Sequence, residues 1–164
     1  MTSSLSRRSS LCLALAAAVA ILACARAGGA WAHGDEPDEP ATKPQEFKEG
    51  LKAIKAGDYK SGIEWMTKAL KVTPADADVY NYLGFAHRKL GQYSEALTLY
   101  GRALQIDPKH RGAREYLGEA YLALNRLGDA KKLLAELDSL CFMPCEEYQE
   151  LKEAVEKYEQ GKRN

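Results

Sequence analysis

The sequence predicts an all-α fold of stacked helix–turn–helix repeats closed by a C-terminal capping helix. Three observations predict it. Shifted by thirty-four residues the chain overlays itself: Gly50, Gly84 and Gly118 coincide, as do Gly57, Gly91 and Asn125, then Gly62, Ala96 and Ala130, with Pro74 on Pro108. Within that period the apolar residues recur at helical rather than strand spacing, as in Ile63, Met66, Ala69 and Leu70. The clearest unit, Tyr80 to Pro108, reads as two amphipathic segments joined by Gly91-Gln92 and closed by Asp107-Pro108, a residue pair that cannot continue a helix.

The length of 164 residues suits one domain with appendages. Its 46% hydrophobic and 28% charged content is ordinary for a helical globular chain. The formal charge is zero, but Arg7, Arg8 and Arg26 are the only charges before Asp35, so the chain beyond residue 32 carries 20 basic against 23 acidic residues. No basic face is implied, which argues against a nucleic-acid partner.

Residues 1–32 read as a signal peptide: Arg7-Arg8, an apolar run from Leu11 to Ala23 too short to span a bilayer, then small residues around Ala30-Trp31-Ala32. Cleavage before His33 leads to an exported, periplasmic protein of a bacterium. Ile21-Leu22-Ala23-Cys24 resembles a lipobox, and a cleaved chain would reach a membrane only if lipidated at Cys24. Ser6-Arg7-Arg8 with Leu11 loosely resembles a twin-arginine signal, and an uncleaved anchor is a further option. Residues 33–42 form an acidic, Pro-rich linker without core-forming residues. His33, if it became the N-terminus, would present an amine and an imidazole to copper; a solvated first residue is the simpler reading.

Three repeats follow, at 43–76, 77–110 and 111–144, then a capping helix at 145–160. The first repeat is degenerate at its start, with Glu49 where the second has Leu83, as suits a terminal unit with one face to solvent. In the second, Asp76 or Asp78 can cap the first helix, and Gly84 and Ala96 mark a close helix crossing. His87 is read as a packing residue. The third repeat keeps Tyr116, Leu117, Gly118, Tyr121 and Ala130 but has Phe142 where a proline is expected, with Pro144 two residues later. Pro144 suits the first turn of the last helix, whose Tyr148, Leu151, Val155 and Tyr158 form one stripe.

The period, together with Tyr80, Leu83, Gly84, His87, Ala96, Tyr100, Ala103 and Pro108 in its slots, resembles the tetratricopeptide repeat. That resemblance implies a right-handed superhelical stack whose first helices line a concave binding side. Its inward slots fall on Phe47, Leu51 and Lys55, then Asn81, Phe85, Arg88 and Lys89, then Glu115, Glu119 and Leu122. A groove with apolar patches, two central cations and two anions beyond them is expected, and an extended peptide or partner helix is its natural ligand. Relatives that grip chaperone C-termini use Lys, Asn and Arg at set inward slots. Only Asn81 is comparable here, with Phe47, Leu51, Gly112 and Tyr116 at the others, so that clamp is not expected.

Cys141-Phe142-Met143-Pro144-Cys145 is the local oddity. In an oxidising compartment a Cys141–Cys145 disulfide would pin the cap to the third repeat. Free thiols, a redox couple, or a copper(I) site adding Met143 are the alternatives. No C-x-x-C-H, G-x-S-x-G, H-E-x-x-H or phosphate-binding loop occurs, so neither an enzyme nor a cofactor or resident metal is expected. A binding scaffold remains, with a copper- or thiol-linked factor and a lipid-anchored assembly factor as alternatives.

Overall fold

The computed structural model describes residues 43–163; the signal peptide, Cys24, His33 and the linker lie outside the described residues. The described chain contains seven helices and no strand: α1 Gln45–Lys55, α2 Tyr59–Val72, α3 Ala77–Lys89, α4 Tyr93–Ile106, α5 Arg111–Ala123, α6 Leu127–Leu140 and α7 Glu146–Arg163. Successive helices pair α1 with α2, α3 with α4 and α5 with α6, and α7 packs on both α5 and α6.

The repeated small residues explain how the helices approach. A Cβ on Gly84 would stand 2.7 Å from Cε1 of Tyr100, a fully buried ring, so α3 and α4 cross where only hydrogen fits. Gly50 plays the same part against Met66, which is also fully buried. In the third unit the partner changes. Gly118 meets Leu151 of α7, not a residue of α6, so the last helix fills a place that the second helix fills in the earlier repeats.

The turns follow from backbone sterics. Gly57, Gly91 and Asn125 have φ of 80°, 76° and 60°, the left-handed region that glycine enters freely and asparagine at modest cost. Each lets the chain close the preceding helix: the amides of Asp58, Gln92 and Arg126 donate to the carbonyls of Ala53, His87 and Tyr121. Asp58 then caps α2 by accepting from the Ser61 amide. Asp76 caps α3, accepting from the Asp78 amide, while Asp78 itself bonds outward to Lys43 and His110. His110 caps α5 through Nδ1, which accepts from the Ala113 amide.

Two sequence expectations change in detail. His87 does not pack in the core: it is half-buried, and its Nδ1 lies 2.6 Å from Oε1 of Gln92 across the turn. Pro144 precedes α7 by two residues and does not enter its first turn, which Glu146 and Glu147 occupy.

The core forms two clusters. One joins Phe47, Ile54, Met66, Ala69, Val79, Leu83 and Ala86 of the first three helices. The other is built around Tyr100, Leu117, Leu133, Leu137, Leu151 and Val155, so the α7 stripe is part of the core. Each buried large side chain contributes about 1.5–3 kcal/mol. A surface ion pair contributes about 0–1 kcal/mol. Apolar packing therefore decides the architecture. At the α6–α7 junction the sulfurs of Cys141 and Cys145 stand at bonding distance, 2.05 Å, with Phe142 and Met143 exposed between them.

Candidate functional site

The first helix of each pair, together with α7, presents one side chain per repeat to a common face. The fifth residue of α3, α5 and α7 is Asn81, Glu115 and Glu150, spaced by 34 and 35 residues, and Phe47 precedes Asn81 by 34. One turn further lie Leu51, Phe85, Glu119 and Ala154, at the same spacings. The first row grades from apolar at α1 to carboxylate at α5 and α7, while the second carries its carboxylate at α5 and ends on Ala154.

At the α1 end, Phe47, Leu51 and Lys55 line a concavity of about 610 Å³ with Lys43, Lys48 and Lys52. Phe47 is itself 6% exposed and belongs to the core, with Tyr82 edge-on at 5.7 Å.

The middle is aromatic. Phe85 lies 6.2 Å from Tyr59 and 4.9 Å from Tyr116, centroid to centroid. The Arg88 guanidinium sits 5.3 Å and 5.5 Å from the same two rings, Phe85 and Tyr116, and reaches Oε2 of Glu119 at 2.6 Å. Lys89 extends over Phe85 with Nζ at 5.1 Å. The two expected central cations are therefore unequal. Arg88 is neutralised by one of the two expected anions and buttressed by aromatic faces, whereas Lys89 remains exposed. Leu122 is buried in the second core cluster and shows one edge beside Arg88 and Glu119.

Between α3, α5 and α7 a polar cavity of about 550 Å³ opens, with Asn81, Glu115 and Glu150 among its lining residues. Asn81 is 4% and Glu115 3% exposed, and Oδ1 of Asn81 has no hydrogen-bond partner. Burial first, then a hydrogen bond to Glu150 and the nearby Glu150 and Glu119 charges, push the Glu115 carboxyl up to about 9, against a lesser opposing pull from Arg88. At neutral pH Glu115 is a neutral acid that can donate to Glu150. At the rim Asp78 is held well below the usual carboxylate range, chiefly by its hydrogen bond with His110 and then by Lys43.

All ten inward residues expected from the sequence line concavities on this face. Sequence reasoning missed the contribution of α7, which brings Glu150, Glu153, Ala154 and Lys157 beside Phe85 and Arg88. The signal was present: the inward register continues into the last helix with a single-residue slip. Among the described residues no cluster of three or more His, Cys, Asp or Glu side chains is placed to hold a metal ion.

One tetratricopeptide repeat model matches residues 47–110 and a second, also described as a tetratricopeptide repeat, matches residues 87–155. The chain belongs to the tetratricopeptide repeat family. No curated protein matches its sequence. Solved structures with the same fold include the tetratricopeptide domain of Arabidopsis OM64, 21% identical over 69% of this chain and 93% of that one, with a TM-score of 0.62. The Yersinia enterocolitica type III secretion translocator chaperone SycD is 19% identical over 73% and 85%, with a TM-score of 0.64. The second tetratricopeptide domain of human RPAP3, solved in complex with the HSP70 peptide SGPTIEEVD, is 25% identical over 66% and 91%, with a TM-score of 0.59. The tetratricopeptide stack here differs from a bare three-repeat array in that α7 both seals the core and builds one wall of the inward face.

Proposed function

We propose that this tetratricopeptide protein is an exported scaffold that binds an extended peptide or partner helix along its inward face and performs no chemistry of its own. The observation that carries the reading is the aromatic centre of that face, where Phe85, Tyr116 and the paired Arg88 form a rigid platform between two concavities. Rigid aromatic and arginine side chains lose little freedom on binding and dominate recognition energies. The RPAP3 domain, seen with a bound peptide, supports peptide capture as a use of this fold.

Capture from a bacterial envelope extract tests the reading. With wild-type protein as bait, Phe85→Ala and Arg88→Glu should each recover at least about tenfold less of the partners, as truncation at a recognition centre does. Both variants are first matched to wild type by circular dichroism. Equal recovery by folded variants overturns the groove.

The export reading rests on the Arg7-Arg8 and Leu11–Ala23 pattern, and a Cys141–Cys145 disulfide suits the compartment it leads to. Intact mass of protein purified from the native envelope reads both at once. The expected species starts at His33 and lacks one pair of hydrogens until a reductant is added. A lipid-bearing Cys24, or a mass indifferent to reductant, contradicts the corresponding half.

A further inference from the structure

The polar cavity between α3, α5 and α7 is more specific than a peptide groove needs to be. Its back wall is Glu115, itself 3% exposed, and Glu150 stands at the exposed mouth. Among the described residues Lys109, in the turn before α5, lines it without an ion pair, whereas the other cations that line or border it are engaged. Lys43 bonds Asp76 and Asp78 at 2.6 and 2.7 Å, His110 bonds Asp78 at 3.1 Å, and Arg111 reaches Glu147 at 3.4 Å. Among the described residues no ion pair reaches Glu115 or Glu150.

A carboxylate cluster alone would be a solvated surface, but Asn81 adds a separate observation. Its side chain is 4% exposed, lines the same cavity, and leaves Oδ1 without a donor. A buried acceptor with no donor is destabilising, so the site is incomplete as it stands. Asn81 with its unpartnered oxygen, the neutral acid of Glu115 and the carboxylate of Glu150 line one space, and a group that only donates complements them. Helix N-termini bordering the cavity favour anions, but that effect falls off within the first turn. Asp78, Glu146 and Glu147 occupy the first turns of α3 and α7, and His110 caps α5, whereas Asn81, Glu115 and Glu150 lie at the fifth residue of their helices.

We propose that this cavity is an anchor site for a lysine or arginine side chain of the bound peptide, held by Asn81, Glu115 and Glu150. The inference rests on the peptide-binding reading and specifies the chemistry of its ligand. An ammonium or guanidinium donates to Oδ1 of Asn81 and to both carboxyls, and its alkyl stem lies along Tyr82 and Tyr116 on the way out. A metal ion is the weaker occupant, since the described residues form no metal-holding cluster. The acidic tail seen on the RPAP3 domain, with its two glutamates and aspartate, is the wrong sign for this wall.

Two measurements on the full chain test the anchor. An array of short random peptides reads preference, and Nα-acetyl-lysine methylamide, with its Nε-acetylated counterpart, is titrated while NMR follows the Asn81 side-chain amide and the Gly112 amide. The expected result is enrichment of Lys or Arg on the array, and saturable shifts at both amides with the charged amide alone. Glu150→Gln should weaken that binding about tenfold, the worth of a charge-assisted bond, whereas Glu115→Gln, which keeps a neutral acceptor and a donor to Glu150, should leave it within about twofold. Glu150 is exposed, so Glu150→Gln keeps the fold even if the buried change does not. Peptides captured without a basic preference overturn the anchor and leave the groove standing. A silent array with saturable lysine shifts does the reverse. Absent shifts, equal shifts from the acetylated compound, or undiminished binding by Glu150→Gln each overturn the anchor outright.

Discussion

Gly84→Val should lose about 3 kcal/mol of stability, whereas Gly101→Ala, in the neighbouring helix, should gain about 0.5–1 kcal/mol, both read from urea unfolding midpoints. The two glycines look alike in sequence, each inside a helix of the second repeat. Propensity alone predicts a gain at both, since glycine in a helix interior costs about 1 kcal/mol relative to alanine. Space separates them. A Cβ on Gly101 meets nothing within 4 Å, so only the propensity gain remains. On Gly84 it meets three atoms of the Tyr100 ring at 2.7, 2.8 and 3.1 Å, and that ring is fully buried with no free direction to move. Forcing extra carbon into a filled core costs about 1–3 kcal/mol, and the branched valine takes the upper end. A Gly84→Val protein as stable as wild type would mean that α3 and α4 do not cross as described.

The same contrast shows how much the sequence discloses. The helix order, the left-handed turn residues and the small slots repeat every thirty-four residues, and a period is visible without coordinates. The inward residues were legible for the same reason. Their partners were not. Arg88 and Glu119 lie 31 residues apart and meet only because consecutive repeats pack with one particular offset, which no local pattern encodes. That pairing turns an expected free cation into part of a neutral platform. The role of α7 was half legible: its apolar stripe pointed to a cap, but Glu150 enters the inward row after a slip of one residue, and charge on a terminal helix reads first as a solvated face. Glu115 was legible as inward-facing but not as buried, because burial there depends on α7 closing over it.

That burial sets a pH dependence with a definite sign. The Glu115 carboxyl ionises near 4.5 in the unfolded chain and is raised to about 9 in the folded one, so between these values the folded state binds the extra proton. Stability from this group is therefore fully present below pH 4.5 and is lost progressively as pH rises towards 9. Asp78 acts in the opposite sense and outside that window. Its folded carboxyl is depressed below 3.8, so its contribution is present above that pH and lost below it. Glu115→Gln keeps the neutral shape and a donor for Glu150 while removing the ionisation. The variant should match wild type near pH 5 and exceed it by about 2 kcal/mol at pH 8, the scale on which a poorly compensated buried polar group is penalised. The groups that face Glu115 are Asn81 and Arg88 on α3, Tyr116 and Glu119 on α5, and Glu150 on α7, and all are unchanged in the variant. Subtracting the two stability curves therefore cancels the titrations of groups that do not interact with this carboxyl and leaves Glu115 with its partner Glu150. A difference that stays flat from pH 5 to 9 would mean that Glu115 is solvated, and that the wall between α5 and α7 is open.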